Sequence, residues 1–180
     1  MHDLEKLSGL LDGYKDEKWH DFYTNCSATE AEGYGKWPRL RETAEFCTKM
    51  GYKKVGLAFC GGLRQEAKIV ADVLRKHGLE VVSVVCKVGG FDKEEVGIPG
   101  ECKIRPGNFE PTCNPITQAA LLNEQGTEFN IVLGLCVGHD SLFFAHSKAP
   151  ATMLVAKDRV TGNNPVAAIY TAHSYFKNKL

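Results

Sequence analysis

Apolar residues near the start of the chain recur at helical spacing. Leu4, Leu7, Leu10 and Leu11 form one such stripe, which Gly13 interrupts. Residues 16–32 read as a second helix ending near Gly33. Residues 38–50 read as a third, with Pro38 close to its first turn and Gly51 just past its end. The segment is charged and amphipathic, so residues 1–51, helical from about residue 3, are expected to form a lead-in packed on the core built by the rest of the chain. From Tyr52 the period changes. KVGLAF at residues 54–59 is a short apolar strand, and residues 63–77 form a helix with Ala67, Val70, Ala71 and Leu74 on one face and Gly78 at its end. LEVVSVV at residues 79–85 is β-branched and strand-like. Residues 89–111 are rich in Pro and Gly and read as an irregular excursion. Asn114 is placed to cap a helix with Pro115 first and its end near Asn123. FNIVLGL at 129–135 is a third strand, Asp140 or Ser141 caps a short helix to His146, ATMLVA at 151–156 is a fourth strand, and residues 165–177 form a last helix.

Strands separated by helices need crossover connections, which give a parallel sheet covered on both faces. Near-continuous apolar strands fit burial on both faces. The expected fold is α/β: a three-layer Rossmann-like or flavodoxin-like sandwich of about four parallel strands over residues 52–180. With the lead-in it makes a single globular domain. The pattern leaves the strand order open.

Composition narrows the function classes without altering this fold. The chain has 180 residues, 22 basic and 22 acidic side chains, and a formal charge of zero. That length suits one domain with its own core. The missing basic surplus argues against a nucleic-acid partner. Residues 1–18 lack the apolar centre of a signal peptide, and no apolar run approaches the ~18 residues that span a bilayer. A cytoplasmic protein with no membrane partner is therefore expected. The seven cysteines stand out. They are too sparse, and odd in number, for a closed disulfide framework, and in a reducing cytoplasm they stay thiols.

Their positions carry more than their number. Cys60 follows the first strand, Cys86 follows the second, Cys136 closes the third, and Cys113 stands just before the helix start at Asn114–Pro115. The separations are 26, 27 and 23 residues, about one β-α unit each. In an open α/β sheet the carboxyl ends of the strands form one rim, where ligands bind. Four thiols distant in sequence are thus expected to converge. Thiolates are soft ligands for zinc, copper(I) or iron–sulfur clusters. Helix N-termini beside Cys60, Cys113 and Cys136 would favour the thiolate form. No C-x-x-C pair of a structural zinc module is present. The competing reading is that the cysteines fill the core as small hydrophobes.

Neighbouring residues add to the rim. Gly61, Gly62 and Arg64 follow Cys60 in a strand–glycine–helix turn that can cradle an anion. No Walker lysine or G-x-G-x-x-G fingerprint accompanies it, and a tight turn needing glycine explains it equally well. His139 could ligate a metal, move a proton or donate to a sulfur, while Asp140 is expected to cap. Lys148, Lys157, Asp158 and Arg159 flank the last strand and could bind an anionic substrate or form a solvated loop. Cys26 and Cys47 are expected to pack, and Cys102 to be a spare ligand.

The blocks KKVGLAFCGGLRQEAKIVADVLRKHGLEVVSVVCKVGG, KIRPGNFEPTCNP, CNPITQAALLNEQGTEFNIVLGLCVGHDSLFF and SKAPATMLVAKDRVTGNNPVAAIY resemble the uncharacterised metal-binding protein family called domain of unknown function 1847. The resemblance runs from about Ala31 to the C-terminus. It implies metal binding, with shared cysteines matching Cys60, Cys86, Cys113 and Cys136, and supplies no reaction.

Three functions are weighed. In the first, a cytosolic α/β protein holds an iron–sulfur cluster (4Fe-4S favoured) or zinc on Cys60, Cys86, Cys113 and Cys136. His139 stands beside it, and the centre performs redox or sulfur chemistry on a small or anionic ligand, with a redox partner or a second copy possible. In the second, a metal-free thiol enzyme uses Cys60 as nucleophile or persulfide carrier, with Arg64 orienting an anion. In the third, a small-molecule-binding module has cysteines that only pack.

Overall fold

The strands that the apolar runs predict are all present in the computed structural model, which describes residues 4–180. They are β1 (Lys54–Phe59), β2 (Glu80–Val85), β3 (Phe129–Leu133) and β4 (Ala151–Val155). All pair in parallel, in the order β2-β1-β3-β4. The inner strands β1 and β3 are the enclosed ones, with their middles fully buried, whereas the outer β2 and β4 are half-buried.

Alternation along each inner strand feeds two cores. Val55, Leu57, Ile131 and Leu133 point to one face, against Ala44, Phe46 and Cys47 of α3 (Arg39–Lys49) and Val70 and Leu74 of α4 (Arg64–Lys76). Phe22 of α2 (Glu17–Gly33) joins that cluster. Ala58 and Val132 point to the other face, against Ala119 and Leu122 of α5 (Pro115–Glu124) and Phe143 of α6 (His139–His146). Helices therefore cover both sides of the sheet, and α2 and α3 share the core of the sheet domain. Arg39 ties α3 to the edge of the sheet by donating to Met153 O and Thr152 Oγ1, both at 2.9 Å.

One inner position is polar. Asn130 of β3 is fully buried, accepts from Thr127 Oγ1 at 2.8 Å and donates to Ser147 Oγ at 2.8 Å. Its side chain fills the space that a Cβ at Gly56 of the paired strand would need.

The excursion of residues 89–111 is ordered by its own ion network. Lys103, buried, meets Asp92 at 2.6 Å and Glu94 at 2.8 Å, and Lys93 pairs with Glu110 at 2.6 Å. Asp92 also caps the short turn Lys93–Val96, and the Lys103 ammonium holds its carboxyl down at about 2.

Several boundaries differ from the sequence expectation. The expected helix start at residue 3 lies outside the described residues. The helix α1 (Leu4–Leu10) leaves Leu4, Leu7 and Leu10 exposed, as is Leu11 just beyond it, so this stripe does not pack on the domain. β3 stops at Leu133 because Gly134 adopts φ +67°, a left-handed conformation that turns the chain. The last helix, α7 (Pro165–Tyr170), ends well before residue 177. Thr171 there donates its hydroxyl to Ala167 O, a local bond that competes with helix continuation. Among the described residues, no helix is long and apolar enough to cross a membrane.

Candidate functional site

Strand ends decide where the cysteines go. Cys60 follows β1, Cys86 follows β2, and Cys136 comes three residues after β3, so all three reach the carboxyl rim of the sheet. Cys113 arrives from the other direction. Asn114 N–H donates to Cys86 O at 2.6 Å, pinning the start of α5 beside the end of β2. The four cysteines line one pocket together with Pro115, Gln118, Leu135 and His139. The space among them is too tight for a water molecule. All seven cysteines are free thiols.

The sulfurs are not equivalent. Cys60 hydrogen-bonds Cys86, and Cys86 hydrogen-bonds Cys113. A donor keeps its proton and an acceptor loses it more readily. Accordingly the thiol of Cys60 is pushed up, first by its bond to Cys86 and then by burial. Cys86 is also raised, chiefly through its bond to Cys113. Cys113, at the accepting end, is drawn down to about 7 by Cys86 against an opposing burial effect. The Cys60 thiol is therefore raised where a helix N-terminus is expected to lower it, and its bond to Cys86 is the largest cause. Cys136 lies outside this chain of thiols, and Arg159 Nη2 donates to its sulfur at 3.1 Å.

Gly61 and Gly62 do cradle, but what they cradle is sulfur. Gly61 N–H donates to Cys86 Sγ at 3.3 Å, and Gly62 N–H bears on Cys60. Arg64 is exposed on the first turn of α4 and does not line the pocket. The arginine brought to the sulfurs is Arg159, from the loop after β4. Asp158 shapes that loop by accepting from Val160 N–H at 2.8 Å and Thr161 N–H at 3.0 Å. Lys157 adds a positive field felt at Cys60. Lys148 lies away from the pocket, where its N–H donates to Asn123 Oδ1 at 2.9 Å.

His139 opens α6, its N–H donating to Cys136 O at 3.0 Å. Its Nδ1 is buried without a partner. Asp140 is not the cap. Gly138 occupies that position with φ +82°, and the Asp140 carboxylate instead accepts from Ser141 N–H. Cys102 is exposed and absent from the pocket, Cys47 is buried in the core, and Cys26 lies half-buried on α2. Gln118 was invisible as a site residue, since a lone glutamine in a helix carries no spacing signal. Its Nε2 donates to Val84 O and Phe59 O, and its Oε1 is buried without a partner.

The donor set is soft and convergent, which suits a thiophilic metal. Among the described residues, however, no group of three or more His, Cys, Asp or Glu side chains is placed to hold a metal ion as it stands. A larger cavity, about 380 Å³, lies at the opposite end of the sheet against Phe22, Phe46 and Phe129 and holds no cysteine but Cys26.

A small parallel α/β domain with a cysteine-lined rim at the junction of β1 and β3 is the class of protein that these features define. The chain belongs to a family described as protein of unknown function (DUF1847), whose sequence model matches residues 2–154. It is 48% identical over 171 residues to the uncharacterized protein MJ0455 of Methanocaldococcus jannaschii, covering 95% of this chain and 86% of that relative.

Proposed function

We propose that this protein is a cytoplasmic metal-binding protein that holds a thiophilic metal among Cys60, Cys86, Cys113 and Cys136. One observation carries the reading: four cysteines from four separate segments line one pocket together with Gln118 and His139, each of which carries a buried polar atom without a partner. The size of that pocket favours a single ion such as zinc over an iron–sulfur cluster. An ion sits about 2.3 Å from each thiolate sulfur, whereas a four-iron cluster needs far more room than a space that excludes water.

The chain's own groups suit thiolates. Gly61 N–H, Gly62 N–H and Arg159 each direct positive charge at a sulfur, offsetting the negative charge that accumulates when thiols lose their protons. Bound there, a metal would supply Lewis acidity or a thiolate store. Lys157 and Arg159 at the mouth suit a small anionic ligand.

Anaerobic purification followed by zinc, iron and labile-sulfide analysis tests this. About one zinc-type ion per chain, lost in Cys86→Ser, is expected. A metal-free protein that takes up neither zinc nor iron overturns it, and stoichiometric iron with sulfide replaces the single ion by a cluster.

A second reading, thiol chemistry without metal, draws support from Cys113. Its thiol lies near 7, whereas that of Cys60 is raised, so the nucleophile would be Cys113.

A further inference from the structure

Gln118 is fully buried on the first turns of α5. Its Nε2 donates to Val84 O at 2.7 Å and Phe59 O at 3.4 Å. Carbonyl oxygens only accept, so the amide nitrogen faces these strand ends and Oε1 is the atom left over, on a residue that lines the cysteine pocket. That oxygen has no partner. An amide oxygen never donates, so only a hydrogen-bond donor or a cation can satisfy it. His139, which lines the same pocket, carries a second buried atom without a partner, its Nδ1.

Orphaned buried polar atoms are costly and are usually bridged by a water, which needs room. This pocket has none. Among the described residues, His, Cys, Asp and Glu side chains form no group of three placed to hold an ion, so an ion here needs a donor of another type, such as an amide oxygen. Three of them are linked, Cys60 to Cys86 to Cys113, while Cys136 is engaged by Arg159 at 3.1 Å.

We propose that Gln118 Oε1 and His139 Nδ1 are the non-sulfur partners of the metal, and that Cys136, held by Arg159, is its exchangeable sulfur. This rests on reading the pocket as a metal–thiolate centre. Three sulfurs, one imidazole nitrogen and one amide oxygen form the resident set. Exchange is ligand substitution alone: one metal–sulfur bond forms or breaks, the electron pair stays on Cys136 as a thiolate beside the Arg159 guanidinium, and no redox change occurs.

Anaerobic titration of the full chain with cobalt(II) tests this, because its sulfur charge-transfer band reports the number of thiolates and its ligand-field bands report the other donors. Cys60→Ser, Cys86→Ser and Cys113→Ser should each weaken binding by at least about tenfold and dim the charge-transfer band. Cys136→Ser should leave that band nearly intact. His139→Phe and Gln118→Met should weaken binding by at least about tenfold and move the ligand-field bands, and Gln118→Glu, which keeps an oxygen, should restore them. His139 is only half-buried, so His139→Phe reports even where Gln118→Met fails to fold. Wild-type behaviour of both His139→Phe and Gln118→Met overturns the proposal, as does a loss in Cys136→Ser equal to the others; either leaves a plain four-sulfur centre. A wild-type chain with no charge-transfer band removes the metal centre itself.

Discussion

Single side chains at the rim divide the four thiols into unlike groups. The hydrogen bonds from Cys60 through Cys86 to Cys113 move acidity toward Cys113. In metal-free protein, Cys113 should therefore be the first rim thiol alkylated by iodoacetamide. Its rate should climb as pH rises through about 7, because a lowered pKa places the thiolate above that value. Cys60 should lag throughout that range. Mass spectrometry of the labelled peptides across pH 6 to 9 decides, and Cys60 reacting ahead of Cys113 would count against this direction of hydrogen bonding. A second residue, Gly56, is constrained by Asn130 rather than by its own backbone. Gly56→Ala should lose about 1–3 kcal/mol in denaturant unfolding, typical of overpacking a full core. A loss no larger than a surface change would show that Asn130 can move aside.

Elements make the rim robust or fragile in different places. The excursion between β2 and α5 contributes little apolar burial and depends on charge. Asp92 is held near 2 by Lys103, and Glu110 is lowered by Lys93. A carboxylate depressed on folding stabilises above its unfolded value of about 4, and that contribution is lost as pH falls through its folded value. Amide exchange in residues 89–111 should therefore accelerate between pH 4 and pH 2 before the sheet opens. Lys103→Met should bring the same loosening at neutral pH, by leaving Asp92 and Glu94 close together without their shared cation. Exchange that rises in sheet and excursion together would refute the separation. Periodicity in the sequence showed that this segment lacks regular structure, but not that it is ordered, because ion pairs at wide spacing leave no local pattern.

At the scale of the whole molecule, sequence and structure agree on most of the architecture and on the gathering of Cys60, Cys86, Cys113 and Cys136. Those expectations came from one regularity, that parallel strands end at a common rim. The order β2-β1-β3-β4 was not readable, since pairing partners are chosen by tertiary packing. It places β1 and β3 side by side where the connections diverge, the usual crevice of such sheets. The pocket-lining place of Gln118 and the sulfur contact of Arg159 have no sequence signal for a related reason: both depend on what stands opposite in space. If the pocket binds zinc, the melting temperature should rise with free zinc, stability gaining ~1.4 kcal/mol for each tenfold above the dissociation constant. Cys86→Ser should show no such rise. Thermal scans at fixed protein concentration check this, and an equal shift in both proteins would place zinc elsewhere.

The spacing of the rim cysteines also sets a time order in the life of the chain. Separations of 26, 27 and 23 residues give an unfolded polypeptide no short chelating pair, unlike the closely spaced ligands of a zinc finger. The four sulfurs meet only after β1, β2 and β3 have docked, and parallel strands dock late because their contacts are distant in sequence. If the rim binds a metal, that ion thus cannot template this fold. In that case the polypeptide first stands on its two hydrophobic clusters as a complete apo-protein, and loading is a separate, later event set by the supply of metal rather than by the progress of folding.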